Sequence, residues 1–102
     1  MIRQSTETRN IDRNLKNIFI IRVTEVVDAG RVTAERILPN GKKTTMTYFF
    51  SDAGECTAGT LLDVKPSLNG HSQSYLILGE TPASIAARYL EDAKKWQATA
   101  AQ

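Results

Sequence analysis

The chain is poor in the residues that carry most enzyme and metal chemistry. It has one cysteine, Cys56, and one histidine, His71. A lone thiol cannot close an internal disulfide, so nothing in the sequence points to an oxidising compartment. One Cys and one His cannot supply the three or four ligands that zinc takes at a recognisable spacing. A Cys56–His71 nucleophilic dyad would need the two side chains in contact and a third group to orient the imidazole. Both fall in expected loops, and neither has a flanking signature. No glycine pattern precedes Gly41-Lys42-Lys43, which excludes a phosphate-binding loop and leaves a basic hairpin tip. Glu25, Asp28, Glu35, Asp52 and Glu55 read as solvated strand and loop charges rather than an acid–base pair. The expectation is a non-enzymatic protein without metal or cofactor.

Long hydrophobic runs are also missing. The longest near the start covers residues 18–21, far short of the ~20 residues of a membrane helix and of the apolar stretch of a signal peptide. The expected location is cytoplasmic, with no membrane partner. Charge of one sign is scarce too: 13 basic and 11 acidic residues leave a net charge of +2. That is too mild to imply nucleic acid by itself. The excess sits in residues 1–17, where Arg3, Arg9, Arg13 and Lys16 outnumber Glu7 and Asp12. That stretch is polar and without periodicity, and it reads as a flexible basic arm that frays or orders on a partner.

What the chain does have is the composition of one globular domain: 102 residues, 41% hydrophobic and 24% charged. The domain is expected over residues 18–98, with a short tail at 99–102. Residues 18–27 are dense in Ile, Val, Phe and Thr, the residues that suit a pleated surface. Phe19, Ile21 and Val23 alternate onto one face; Ile18, Ile20, Arg22 and Thr24 take the other. Val26 and Val27 break the phase, which predicts a bulge near Glu25. Asp28-Ala29-Gly30 reads as a turn with Gly30 at positive φ, followed by a second strand over 31–38. Asn40-Gly41 reads as a two-residue type I′ hairpin, and the third strand as 43–50, with Met46, Tyr48 and Phe50 on one side and Thr45, Thr47 and Phe49 on the other. A polar loop, 51–59, leads to a fourth strand over 60–65, stopped by Pro66. Asn69-Gly70 marks another turn before a fifth strand over 74–78.

After residue 80 the period changes from 2 to 3.6. Thr81 caps a helix whose first turn accommodates Pro82. Ile85, Ala86, Tyr89, Leu90, Ala93 and Trp96 form its apolar stripe, and Glu91 and Lys95 make a favourable i,i+4 pair. Five short strands leave exposed edges unless they close. The expected fold is therefore mainly β (α+β): a small five-stranded antiparallel barrel, OB-like or SH3-like, with one C-terminal amphipathic helix. The likeness is one of strand layout and not of any motif.

The remaining signal is a surface of cations, hydroxyls and one aromatic ring. Arg22, Arg31, Arg36, Lys42, Lys43, Phe49 and Lys65 are the candidate nucleic-acid-binding residues. A ring beside cations suits a single strand, whose bases stack while its phosphates meet Lys and Arg. The competing reading places Phe49 under the helix against Tyr89 or Trp96. Two functions follow. The first is a small β-barrel binding single-stranded DNA or RNA. The second is a protein-interaction or homo-oligomeric assembly module, with an apolar outer face or the basic arm as its contact.

Overall fold

Alternating apolar residues in five consecutive segments build the sheet that organises this protein. The structure, a computed structural model, describes residues 2–69 and 72–100. The elements are α1 (Asn10–Leu15), β1 (Phe19–Asp28), β2 (Arg31–Ile37), β3 (Lys43–Phe49), a single 3-10 turn (Ala53–Glu55), β4 (Leu61–Asn69), β5 (Ser72–Glu80) and α2 (Ala83–Ala100). The strands form one antiparallel sheet in the order β3-β2-β1-β4-β5. β1 is shared: Phe19 to Arg22 pair with β4, and Arg22 to Asp28 pair with β2. The changeover coincides with a register shift between Val23 and Glu25, where the broken phase predicts it. Extra residues there bend the strand and sharpen its twist.

The core lies on one, concave face. Ile21, Val23, Val32, Ala34, Tyr48, Phe50, Leu62, Val64 and Ile77 are buried there. Each large side chain so buried contributes roughly 1.5–3 kcal/mol. Closure into a barrel is the expectation that the structure does not meet: the sheet is open, with β3 and β5 as its outer strands. It curls enough to bring the rings of Tyr48 and Tyr75 edge to face at 5.9 Å.

Residues 2–5 lie in the seam that remains. Gln4 makes a parallel bridge to Glu80. Ser5 N–H donates to Glu80 O at 3.0 Å, and Glu80 N–H donates to Arg3 O at 2.8 Å. On the other side Arg3 lies 3.8 Å from Asp52 and over the Phe50 ring. This approach requires a glycine on β5. Gly79 has φ +144°, and a Cβ there would come within 2.7 Å of Arg3 O.

Several local expectations need correction. The stretch 1–17, read without periodicity, contains a helix, α1. A Schellman pattern ends it, with Asn17 N–H donating to Asn14 O, Ile18 N–H to Arg13 O and Asn17 at φ 57°. Ile11 and Leu15 on α1 are exposed, so no apolar stripe announces it. Pro66 does not stop β4, which continues to Asn69 paired only with β5. Beyond Val64 its other edge has no β1 neighbour, so a residue lacking N–H is tolerated there. β5 is correspondingly longer than residues 74–78.

The 38–42 connection is not type I′. Gly41 N–H donates to Leu38 O, Leu38 N–H donates to Lys42 O, and only Gly41 has positive φ. Pro39 holds φ near −65°, which selects a type I turn followed by a left-handed glycine. Gly30 is not left-handed either; Asp28 Oδ1 closes that turn by accepting the Gly30 N–H at 2.9 Å.

α2 begins at Ala83 and continues past Lys95. Thr81, just ahead of it, donates its hydroxyl to Asp63 Oδ1 at 2.9 Å. Ala93 is buried, and the rings of Tyr89 and Trp96 meet at 6.0 Å. No helix among the described residues is long and apolar enough to cross a membrane.

Candidate nucleic-acid interface

The outward face of β2 and β3 carries the part of the predicted site that holds together. Cross-strand register sets Arg31 opposite Phe49, Thr33 opposite Thr47, Glu35 opposite Thr45 and Ile37 opposite Lys43. Phe49 is 81% exposed, which decides between its two readings: the ring is in solvent, and Tyr89 and Trp96 pack on each other instead. The Thr33 and Thr47 hydroxyls lie 3.4 Å apart. Lys43 stands about 20 Å from Phe49 along β3, at ~3.4 Å per residue. Lys42 extends the same end from the hairpin, where its backbone N–H donates to Asn40 Oδ1 at 2.9 Å. Neither lysine side chain has an ion pair among the described residues.

The Arg31 end is electrostatically held. Its Nε and Nη2 donate to Asp28 Oδ2 at 2.9 and 2.7 Å. That guanidinium, helped by the Gly30 amide, keeps the Asp28 carboxyl below the usual range, and Asp28 in turn raises Arg31.

The other predicted cations go elsewhere. Arg22 points outward but is ion-paired across the strand to Glu35. Both lie close enough to the Tyr89 hydroxyl to affect its titration. Arg36 shares the concave parity of Val32 and Ala34 and lies 4.1 Å above the Phe19 ring. Lys65 is half-buried on β4, opposite Leu76. Arg36 and Lys65 do not join the β2–β3 face, and Arg22 borders it with its charge engaged by Glu35.

Two features escaped sequence reasoning. Arg36, Phe19, Tyr75 and Tyr48 form a chain of stacked groups at one mouth of the concave face, with Phe19 and Tyr75 edge to face at 5.7 Å. The alternation that places Phe19 with Ile21 was readable; the curl that brings β5 to it was not. A groove of about 560 Å³ runs between α1, α2 and the outer side of β1, with Ile20, Ile37, Arg88 and Tyr89 among its walls. Among the described residues, Tyr89 Oη is buried without a hydrogen-bond partner. Its burial pushes the pKa up, opposed by the nearby Ile37 backbone amide and by Arg22 and Arg36.

Cys56 is buried, and desolvation followed by Asp52 raises its thiol pKa. His71 lies outside the described residues. Among the described residues no group of His, Cys, Asp and Glu is arranged to hold a metal ion. The fold defines a mainly-β protein with a five-stranded antiparallel sheet and a C-terminal helix. No family model, curated protein or solved structure matches the chain.

Proposed function

We propose that this protein binds single-stranded nucleic acid across the outer face of β2 and β3, as a small OB-like module. The carrying observation is Phe49, a ring 81% exposed on a regular strand beside Arg31. Stacking of one base on such a ring is worth about 1–3 kcal/mol and is indifferent to sequence. Arg31 at one end and Lys42 and Lys43 at the other meet phosphates, while Thr33, Thr45 and Thr47 offer hydroxyls between them. A face about 20 Å long suits roughly 4 nucleotides, the lower end of the range for one OB fold.

Strand layout supports the same reading. β1 is shared between β2 and β4, and β3 curls toward β5, as in a partly open Greek-key barrel. Such barrels bind oligonucleotides on their second and third strands, flanked by the loops joining strands 1–2 and 4–5. Here those flanks are the Asp28–Arg31 turn and the β4–β5 ribbon. The modest net charge of +2 implies contacts that are local rather than a broad positive field.

Fluorescence anisotropy of a labelled oligothymidylate at low salt tests the proposal. Saturable binding is expected, with Phe49→Ala weakening it at least fivefold. Absence of binding by the parent protein at low salt would falsify it.

A further inference from the structure

The β1–β2 ladder ends short of the strands it joins. Its last pair is Arg22 with Glu35; the next pairs along, Ile21 with Arg36 and Ile20 with Ile37, are not formed. Each strand is held there by its other neighbour: Ile20 pairs with Asp63 of β4, and Ile37 with Lys43 of β3. The strands part, and the groove of about 560 Å³ enters the gap. Residues of both parities therefore line it. Ile20 and Ile37 come from the outer face, Phe19 and Arg36 from the concave one. An intact ladder keeps two such sets on opposite faces. The helices supply the remaining walls, Arg13 from α1 and Arg88, Tyr89 and Trp96 from α2 among them.

Charge in this groove differs from charge on the rest of the surface. Arg3, Arg9, Arg13, Arg22 and Arg31 each have a carboxylate within ion-pair range. The two remaining arginines of the chain are Arg36 and Arg88. Neither has such a partner among the described residues, and both line the groove. Arg13 is engaged by Asp63. The groove's one carboxylate among the described residues is Asp92, which stands one helical turn after Arg88 and forms no ion pair with it. Arg36 and Arg88 against Asp92 leave a surplus of one positive charge. A cleft with low-dielectric walls focuses the field of such a surplus on whatever enters it.

We infer that this groove binds a small aromatic monoanion, a carboxylate or a sulfonate, with its charged group on Arg36 and Arg88 and its ring against Tyr89 and Trp96. The volume lies within the roughly 300–1,000 Å³ of small-molecule sites, which combine apolar walls with a few placed polar groups. Ile20 and Ile37 are such walls, both buried. A guanidinium offers a planar fork that matches two oxygens of one acid group. The Tyr89 and Trp96 rings, edge to face, present apolar surface to a flat body. A surplus of one charge suits a single negative charge better than the two of a phosphate monoester. The inference does not rest on nucleic-acid binding: Arg31, Lys42, Lys43 and Phe49 are not among the groove walls.

Trp96 is the only tryptophan of the chain, so quenching of its emission is read from a groove wall. Two dyes form the test. Anilinonaphthalene sulfonate is an aromatic monoanion that accepts energy from tryptophan; phenylnaphthylamine has the same rings without the sulfonate. On the full chain the sulfonate should quench Trp96 saturably, at one dye per chain. Phenylnaphthylamine should bind about tenfold more weakly, the loss of a charge-assisted hydrogen bond. Arg36→Met and Arg88→Met should each weaken sulfonate binding by about the same factor and leave phenylnaphthylamine binding unchanged. Should Arg36→Met fail to fold, Arg88→Met decides, because Arg88 is exposed. Phe49→Ala should leave both titrations as they are. Absence of saturable Trp96 quenching by the sulfonate overturns the inference. So does equal affinity for the two dyes, or sulfonate binding indifferent to Arg88→Met. A loss of sulfonate binding on Phe49→Ala would place the dye on the β2–β3 face and overturn it as well.

Discussion

Arg13 and Asp63 meet in a buried bidentate ion pair across 50 positions of sequence, with Nη2 donating to Oδ1 at 2.8 Å. Asp63 is fully enclosed on the outer face of β4 and also accepts the Thr81 hydroxyl. One carboxylate therefore joins α1, β4 and the entry to α2. Burying a charge is tolerated where donors saturate it, and Arg13 Nη1 also donates to the Glu7 carbonyl at 3.1 Å.

Removing one partner leaves the other charged and buried. Asp63→Ala should destabilise the protein by about 3–5 kcal/mol in urea unfolding. The double variant Arg13→Met, Asp63→Leu should lose clearly less than Asp63→Ala alone, because it strands no charge. Equal losses would mean that packing, not the ion pair, holds the two segments together.

Gly79→Ala combines a left-handed backbone with a Cβ 2.7 Å from Arg3 O. Backbone strain of this kind costs about 1–3 kcal/mol. The expected signature is a lower melting temperature with faster amide exchange at Ser5 and Glu80, whose N–H groups bond across this contact. Unchanged exchange at both amides would show that residues 3–5 do not depend on the glycine.

Charge and stacking at the proposed interface separate by salt. Replacing Lys42 and Lys43 together with Ala should reduce the slope of log affinity against log salt by about 1.4, since each single-strand phosphate contact contributes ~0.7. Phe49→Ala should lower affinity and leave that slope intact, because stacking releases no counterion. A change of slope on removing Phe49 would assign the ring a different role.

Burial raises the pKa values of Cys56, Tyr48 and Tyr89 above their ordinary values of 9.0, 10.0 and 10.0. The unfolded chain therefore releases these protons first. Stability should be flat from pH 7 to about 8.5 and fall as pH rises through roughly 9 to 11. Thermal melts across that range provide the check, and a midpoint that rises with pH would contradict it. Tyr89→Phe should melt no lower than the parent at neutral pH, since it deletes a buried hydroxyl that has no hydrogen-bond partner among the described residues.

The sheet was legible where side-chain alternation is strict. Ile21 and Val23, Val32 and Ala34, and Tyr48 and Phe50 share the buried face that their period of two implies. Turn chemistry was legible by location but not by type, because Pro39 and Asp28 override the glycines beside them. α1 was hidden for a physical reason. Its contribution is one buried polar side chain, Arg13, and hydropathy patterns register only apolar faces; Asn17, a residue that readily ends helices in the left-handed region, was the available signal. At the candidate site, parity alone placed Phe49 and Lys43 on one face. Parity on β2 also sets Arg36 with Val32 and Ala34, opposite Arg31 and Thr33; its charge argued the other way, and the Phe19 ring that receives the guanidinium on the concave side was not readable.

The seam contact between residues 3–5 and Glu80 also sets an order of events during synthesis. Residues 3–5 leave the ribosome before any strand of the sheet, yet the edge they cover belongs to β5. Until β5 emerges, the first residues have no place to dock. Contacts so distant in sequence form late, after nearer pairs have shortened the loop to be closed. A nascent chain thus carries residues 3–5 without their strand partner until β5 emerges, the interval in which unpaired segments are most open to exchange with a neighbouring chain.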